Sequence, residues 1–408
     1  MRLALCVLFL AANLAAQTTT AIRARHMLDV RNGKLIDDAV VIVRGHDIVA
    51  AGAGLAVPDG ATVIELGDAT VLPGMIDCHT HLLSSSSGPE YATMLLTKSQ
   101  AYRALEGAAN ARKTLLAGFT TVRDVENEGS GYADVDLRNA IRRGLVPGPR
   151  MKVATRGIAA VGQYYPFGVS SDLPDFPRGA QMVSGVDEVR RAVRDQIGNG
   201  ADLIKVYADW DYPTLTIDEL RTVVEEAHKA GRKVAAHATT TEGIRNAVTA
   251  GVDSIEHGDK ADRATLLEMK AKHVWLVPTY SRELAVVDEV PEDARAEVRA
   301  YLEKKGESLR LAHELGVSVA VGSDAGETKY HGANAAELRA LVSAGFTTAE
   351  AIRAATITAA ELLGMQERIG TIEPGKAADL IAVRGDVLAD IDVLQHVTFV
   401  MKDGEVIR

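Results

Sequence analysis

The pattern of hydrophobic and polar positions differs between the two ends of the chain and its middle. Near the N-terminus, residues 39–43 and 48–51 are short apolar runs separated by a Gly-His-Asp turn. Near the C-terminus, residues 378–383 and 397–401 repeat this pattern, and Asp403-Gly404 predicts a hairpin turn. Short apolar segments bounded by turns are typical of β-strands. We therefore expect one small β-sandwich domain built from both termini.

The middle of the chain alternates helical and strand patterns instead. A helix begins with a capping box at Thr216, and the short apolar strand after it ends at His237. The next helix and strand repeat this order up to His257, and a last helix with its own capping box stops at Gly364. Such alternation predicts βαβ units around a parallel sheet. Because so many units follow one another, we expect an α/β fold with a closed (β/α)₈ TIM barrel.

These patterns divide the chain into three parts. We predict a signal peptide at the N-terminus, because Arg2 precedes an apolar run and a Leu-Ala-Ala-Gln segment offers a small-residue cleavage site. No other segment comes near 18 uninterrupted apolar residues, so we expect a secreted or periplasmic protein that is free of the membrane after signal removal. The predicted parts are the signal peptide 1–17, the β-sandwich domain 18–72 plus 365–408, and the barrel 73–364.

Composition narrows the range of functions. The net charge is −10, and Lys or Arg residues do not cluster with aromatic residues, so nucleic-acid binding is disfavoured. Aromatic residues make up 4% of the chain and small aliphatic residues dominate, which suits the core of a barrel. Cys6 lies in the predicted signal peptide, so Cys78 alone remains and an intramolecular disulfide is excluded.

Histidines stand where strands of the predicted barrel end. His79 and His81 are two residues apart on one strand and therefore face the same way. His237 and His257 close two short apolar strands on consecutive βα units. A single buried histidine is more often structural, but two at equivalent positions favour metal ligation by neutral imidazoles.

Two further residues occupy comparable positions. Lys205 is flanked by Leu, Ile and Val, where a bare ammonium would be costly to bury. Either this lysine lies at a strand end and reaches water, or CO₂ carboxylates it to an anion that can bridge two metal ions. Asp324 follows the apolar residues 317–321 and would place a carboxylate at a strand end, although it could also cap the next segment.

Taken together, these six positions resemble the amidohydrolase superfamily, and in particular its binuclear-metal branch. That branch includes prolidase-like dipeptidases, imidazolonepropionase-related enzymes and ochratoxinase-like amidohydrolases. The resemblance extends from about Gly33 to the C-terminus. It includes the Leu-Pro-Gly-Met-Ile-Asp-x-His-x-His lead-in, the Ile-Glu-His-Gly segment and the closing Gly-Thr-Ile-Glu-Pro-Gly-Lys-Ala-Ala-Asp-Leu segment.

The resemblance implies a site for two divalent metal ions, Zn²⁺ in the first instance, bridged by carboxylated Lys205. The implied ligands are His79, His81 and Asp324 at the more buried ion, and His237 and His257 at the more exposed one. Asp324 would also be the catalytic residue, taking a proton from the attacking hydroxide and delivering it to the leaving nitrogen. The substrate would be a small-molecule amide or dipeptide, and because relatives often assemble, a homo-oligomer stays open.

Two features sort the functions within the superfamily. Mononuclear deaminases and imidazolonepropionase lack the bridging lysine, and deaminases usually carry His-x-x-Glu where this chain has His-Ala-Thr-Thr from His237. Both features favour a binuclear hydrolase that cleaves the C–N bond of a dipeptide or an N-acyl amino acid. The alternative is a mononuclear deaminase or cyclic-amide hydrolase with an unmodified Lys205. A non-catalytic relative is disfavoured because all six ligand positions are filled.

Three residues are candidates for contacting the substrate. Tyr207 lies two residues beyond Lys205, and its hydroxyl could donate to a substrate carbonyl or carboxylate. His331 lies on the loop after Asp324, and Tyr165 lies on a loop after another predicted strand. His331 could equally be an ordinary loop histidine, and Tyr165 is a candidate only for lining the pocket.

Overall fold

The computed structural model describes residues 18–164, 172, 176–287 and 289–408. The predicted signal peptide and the candidate substrate residue Tyr165 lie outside these described residues. Among the described residues, no helix combines the length and the apolar character needed to cross a membrane.

The secondary structure follows the predicted order of strands at both ends and alternating elements between them. The strands are β1 (Thr19–Asp29), β2 (Lys34–Arg44), β3 (Asp47–Ala53), β4 (Thr62–Glu65), β5 (Ala69–Pro73), β6 (Met75–Thr80), β7 (Phe119–Asp124), β8 (Arg150–Val153), β9 (Gly157–Ala160), β10 (Ala180–Val183), β11 (Leu203–Tyr207), β12 (Lys233–Ala238), β13 (Ser254–His257), β14 (Trp275–Val277), β15 (Leu380–Arg384), β16 (Phe399–Lys402) and β17 (Glu405–Val406). The helices are α1 (Pro89–Thr97), α2 (Gln100–Leu116), α3 (Ala133–Arg142), α4 (Val186–Gly198), α5 (Ile217–Lys229), α6 (Thr241–Ala250), α7 (Arg263–Lys272), α8 (Tyr280–Val286), α9 (Arg295–Leu315), α10 (Ala336–Ser343), α11 (Thr348–Ala354) and α12 (Ile357–Leu362), and a 3₁₀ helix spans Ile391–Gln395.

Both ends of the chain contribute to one mixed sheet. Its strand order is β17-β16-β15-β5-β1-β2-β3, with β4 paired in parallel to β1. The C-terminal strand β15 runs antiparallel to β5, with Ile381 opposite Leu72. Buried apolar residues from both ends, including Val41 and Met401, pack together in this domain. The prediction of a small β domain made from both termini is confirmed.

Parallel strands of the middle region form the wall of the barrel. One ladder has the order β6-β7-β8, and the other has the order β10-β9-β11-β12-β13-β14. The eighth wall segment follows α9 and is joined to its neighbours by single bridges, Leu276 to Val319 and Thr80 to Ala325. The two ladders of the described strands therefore do not form one continuous hydrogen-bonded barrel. The two single bridges connect the eighth wall segment to β14 on one side and to β6 on the other. The predicted TIM-barrel architecture is confirmed.

The last barrel helix differs from its prediction, because α11 and α12 replace one continuous helix. The carbonyl oxygen of Ala354 accepts the backbone N–H of Val321 at 3.1 Å, and that of Ala355 accepts the N–H of Ile76 at 2.8 Å. These carbonyls bond to the barrel wall instead of to the next helical turn. The prediction of a single helix was wrong because the wall competes for its backbone acceptors.

Strand alternation decides which side chains face the barrel interior. Ile204 and Val206 belong to the apolar core that also includes residues of the surrounding helices, and both are fully buried. Lys205, between them on β11, points the opposite way, as the period of two requires. The same alternation on β6 separates the apolar Cys78 from His79. Polar groups therefore collect inside the wall, towards its carboxyl end.

Gly322 provides a test of how tightly the wall packs near this polar interior. A Cβ added to Gly322 would lie 2.7 Å from the Cβ of His79 and 2.3 Å from Cγ1 of Val277. We expect Gly322→Ala to destabilise the protein by about 1–3 kcal/mol through overpacking. Chemical unfolding of the purified variant measures this change.

The matched control is Gly198→Ala at the end of α4, where an added Cβ meets nothing within 4 Å. It should leave stability unchanged or raise it by about 0.5–1 kcal/mol, because alanine loses less backbone entropy on folding. Equal unfolding midpoints for Gly322→Ala and the wild type would contradict the close packing of the wall.

Candidate metal centre

Four imidazole rings form a continuous row inside the barrel mouth. The ring centroids of His81 and His79 are 5.2 Å apart, those of His79 and His257 are 5.1 Å apart, and those of His257 and His237 are 4.6 Å apart. The four rings line one cavity of about 840 Å³ together with Lys205, Asp324 and Tyr207. The structure thus brings all six predicted ligand positions to one site.

Asp324 lies against the first two imidazoles. Its Oδ1 is 3.1 Å from Nε2 of His81 and 3.5 Å from Nε2 of His79. Ligand atoms of these three residues all lie within 4.8 Å of one another, a spacing that one metal ion can span. Burial would raise the pKa of Asp324, but the hydrogen bond with His81 and the nearby positive charges, including Lys205, outweigh burial and lower it.

Asp77 fixes the turn that carries Asp324. Its carboxylate accepts the backbone N–H groups of His79 at 3.0 Å and of Ser323 at 3.1 Å. It also accepts the Ser323 hydroxyl and the side-chain amide of Asn334 at 2.7 Å. Strand β6 and the eighth wall segment are thereby held together directly beneath the site.

Lys205 is buried in the site, with no ion-pair partner among the described residues. It is 1% exposed, so the alternative in which it reaches water does not hold. Within the described part of the chain, no carboxylate lies within 4.0 Å of its amine, and the Nζ is 5.2 Å from the ring centroid of Tyr207. Burial lowers the pKa of this amine, although the charges of Glu256, Glu126 and Asp324 oppose that effect.

Glu256 orients the imidazole of His79. The Nδ1 of His79 lies 2.7 Å from Oε2 of Glu256, whose carboxylate also accepts two hydrogen bonds from Arg123 at 2.7 and 2.8 Å. Burial would raise the pKa of Glu256, but Arg123 and His79 together lower it to about 2. The ionised Glu256 accepts a hydrogen bond from Nδ1–H of His79. The other ring nitrogen, Nε2, is then unprotonated and free for a metal ion.

His257 and His237 also present free ring nitrogens. The Nδ1 of His257 is 2.8 Å from the hydroxyl of Thr279, so its Nε2 is free for a metal ion. The Nε2 of His237 is buried and has no hydrogen-bond partner among the described residues. Burial, reinforced by the charge of Lys205 and the neighbouring histidines, lowers the pKa of both rings and keeps them neutral. Neutral imidazoles with a carboxylate form a donor set that fits Zn²⁺ and similar divalent ions.

Backbone strain also concentrates at this site. Glu128, His257, Thr279 and Asp324 all have positive φ angles, between 50° and 73°. A left-handed conformation costs a residue other than glycine about 1–3 kcal/mol and persists where the surroundings enforce it. Three of these four side chains line the cavity, and the fourth, Thr279, forms a hydrogen bond with His257.

Glu126 and Glu128 are among the cavity residues that the sequence analysis missed. Glu126 and Glu128 follow β7 and line the cavity. The Oε1 of Glu128 lies 2.5 Å from Nδ1 of His81. Glu126 accepts a hydrogen bond from the Tyr164 hydroxyl at 2.7 Å and another from the Tyr207 hydroxyl. The signal was available, because two carboxylates spaced i, i+2 just past the end of a strand repeat the spacing of His79 and His81.

The three candidate substrate residues have different positions. Tyr207 lines the cavity, but its hydroxyl donates to Glu126. His331 is buried away from the described cavity wall, and its Nε2 lies 3.0 Å from the carbonyl oxygen of Ser84. Burial lowers the pKa of His331 to about 4, so its ring is neutral. Tyr165 is outside the described residues, whereas the adjacent Tyr164 lines the cavity.

Comparison with known proteins agrees with this geometry. The profile of the amidohydrolase family matches residues 70–407, and the chain belongs to that family. Ochratoxinase from Aspergillus niger is 31% identical over 373 residues, which cover 83% of this chain and 75% of that protein.

Two solved structures are similar over nearly the whole fold. A Xaa-Pro dipeptidase with methionine bound in its active site has 34% identity and a TM-score of 0.87, covering 95% of this chain and 99% of that chain. A prolidase complexed with N-methylphosphonate-L-proline has 31% identity and a TM-score of 0.86, covering 96% of this chain and 100% of that chain. The chain is therefore an amidohydrolase-family protein with a TIM barrel and a β-sandwich domain.

The hydrogen bond that Nδ1–H of His257 donates to the Thr279 hydroxyl generates a prediction about metal affinity. Thr279→Val keeps the shape of the side chain but removes the hydroxyl that orients the ring. We expect metal affinity about 10–100-fold weaker, as is typical when a partner of a ligating histidine is lost. Competition with a chelator of known affinity measures the change.

The matched control is Thr279→Ser, which retains the hydroxyl and should bind metal almost as the wild type does. Equal affinities of the valine and serine variants would show that this hydrogen bond does not orient a ligand.

Proposed function

We propose that this chain is a binuclear metal-dependent hydrolase that cleaves the C–N amide bond of a dipeptide or an N-acyl amino acid. The single observation that carries the proposal is the buried amine of Lys205, which has no carboxylate within 4.0 Å among the described residues and shares its cavity with the four imidazoles. An uncompensated buried ammonium is costly. Addition of CO₂ to the neutral amine forms an N–C bond, releases one proton and replaces that cost with an anion suited to bridging two cations.

The residues of the chain divide the work of hydrolysis. Divalent ions bound here would supply Lewis acidity and lower the pKa of water, as amide hydrolysis requires. Asp324 is the proposed general base and acid, because its carboxylate is 29% exposed towards the cavity while its Oδ1 is held 3.1 Å from His81. It takes a proton from the attacking water and passes it to the leaving nitrogen.

The relatives support an amide between an acyl group and an amino acid. Their names describe an ochratoxinase, a Xaa-Pro dipeptidase and a prolidase bound to a proline derivative. Arg282 lines the cavity, stacked on Tyr330 with 4.8 Å from its Cζ to the ring centroid, and Glu327 and Ser87 bind its Nη2. A fixed guanidinium is well suited to the free carboxylate that such substrates carry.

A mononuclear deaminase or cyclic-amide hydrolase is the second candidate. The observation that favours it is that His79, His81 and Asp324 already bring their ligand atoms within 4.8 Å of one another and suffice for one ion. This candidate gives no role to Lys205 inside the barrel. The binuclear proposal accounts both for the cluster of three ligands and for the lysine buried beside it.

The proposed setting of this activity is outside the cytoplasm, with a small-molecule substrate and Zn²⁺ as the first metal to test. The export part of this proposal rests on the signal-like sequence of residues 1–17.

The experiment that tests the proposal is hydrolysis by the purified, metal-loaded protein of a panel of dipeptides, N-acyl amino acids, cyclic amides and ring amines. We expect amide cleavage by the wild type and a loss of about 10²–10⁴-fold in kcat for Asp324→Asn, the usual contribution of a general acid–base residue. The matched control is Asp293→Asn, which alters an exposed carboxylate. Turnover of ring amines or cyclic amides without cleavage of linear amides would contradict the proposal and support the mononuclear candidate.

A further inference from the structure

Glu126 is a buried carboxylate in the cavity wall, and none of the described residues forms an ion pair with it. Its side chain is 1% exposed, and within the described part of the chain no lysine, arginine or histidine forms an ion pair with it. The tyrosine hydroxyls that donate to it carry no charge. A buried charge normally has a counter-charge, because desolvation without one is unfavourable.

The other glutamates of the cavity wall do have basic partners. Glu128 is 2.5 Å from the imidazole of His81, and Glu283 is 2.6 Å from the amine of Lys305. Glu126 differs from them although it lines the same cavity. Burial and the neighbouring Glu128 raise the pKa of Glu126 to about 7, and a cationic group bound in that cavity would stabilise the ionised carboxylate.

Aromatic rings surround the same position. Tyr164 and Tyr207 donate to Glu126, and their ring centroids are 5.3 Å apart. Trp210 stacks on Tyr207 at 5.0 Å. A carboxylate combined with aromatic faces attracts an ammonium group by ion pairing and by cation–π interaction.

The surroundings also define the position of the carboxylate. A Cβ added to Gly179 would lie 1.7 Å from Oε1 of Glu126, so glycine at this position leaves room for the carboxylate. The hydroxyls of Tyr164 and Tyr207 donate one hydrogen bond to each carboxylate oxygen. A rigid acceptor of this kind recognises a ligand group at one defined position.

The position of Glu126 relative to the metal centre identifies the group it would bind. Tyr207 is two residues from Lys205 on β11, and the ring of Trp210 is 4.5 Å from that of His237. In a dipeptide, the α-ammonium is attached to the carbon next to the scissile carbonyl. An ammonium beside Glu126 is therefore close to where cleavage takes place.

We propose that Glu126 binds the free α-ammonium of the substrate, so that the enzyme acts on dipeptides with an unblocked N-terminus in preference to N-acyl amino acids. This inference rests on the proposed function and refines its substrate class. An acylated or deaminated substrate leaves Glu126 uncompensated in the closed site, whereas a free dipeptide balances it.

The test compares three substrates that differ only at the N-terminus: the dipeptide cleaved best in the panel, its N-acetyl derivative and its deamino analogue. For the wild type near pH 7, we expect kcat/KM at least about tenfold higher for the free dipeptide, as for a charge-assisted contact. For Glu126→Gln, kcat/KM on the free dipeptide should fall at least about tenfold, mainly through KM, and should change less than about threefold on the deamino analogue. Bound metal should stay at the wild-type level, and Glu405→Gln, an exposed change on β17, is the matched control.

Each outcome decides between the two proposals. Equal losses on all three substrates would show a structural role of Glu126 and overturn this inference. Faster cleavage of the N-acetyl derivative by the wild type would also overturn it while supporting amide hydrolysis, and that comparison needs no variant to fold. Failure of the metal-loaded wild type to cleave any of the three would overturn the proposed function itself.

Discussion

Arg123, Glu256 and His79 form a chain of buried, charge-assisted hydrogen bonds across the barrel interior. Arg123 projects from β7, Glu256 from β13 and His79 from β6, so the chain ties together three parts of the wall. Arg123 also donates to the hydroxyl of Ser254 at 3.0 Å. The orientation of His79 depends on this arrangement, and His79 in turn contacts Asp324 and the next imidazole in the row. Removing one partner would leave a buried charge unpaired, which is strongly destabilising.

The interior separates compensated charges from uncompensated ones. Glu256 and Arg123 form a buried pair within the wall, and the buried amine of Lys305 pairs with the partly exposed Glu283. Lys205 and Glu126 lack such partners among the described residues although both line the cavity. Burying an ion without a partner costs desolvation free energy, because no attraction between opposite charges offsets it. Under the two proposals above, CO₂ and metal ions would compensate Lys205, and a cationic substrate group would compensate Glu126.

The sequence was sufficient for the features that depend on local patterns. Strand ends and i, i+2 spacing identified His79, His81, His237 and His257, and capping boxes identified the starts of α5 and α11. These predictions succeed because each depends on residues that are close together in the chain.

Features that depend on contacts between distant segments were not predictable in the same way. The pairing of Glu256 with Arg123 joins residues 133 positions apart, and the contact of His331 with Ser84 joins residues 247 positions apart. The break between α11 and α12 has the same origin, because backbone donors of the wall take the carbonyls of the helix. Glu126 and Glu128 are a different case, since their spacing was visible but carboxylates after a strand have many roles.

The proposal that Lys205 bridges two metal ions is tested most directly by the metal content per chain of the purified protein. Elemental analysis should be made on the wild type, on Lys205→Ala and on Lys34→Ala, which changes an exposed lysine of β2. We expect about two divalent ions per chain for the wild type and the Lys34 variant. We expect about one or none for Lys205→Ala, because the bridging anion is lost. About one ion in all three proteins would contradict the bridged site.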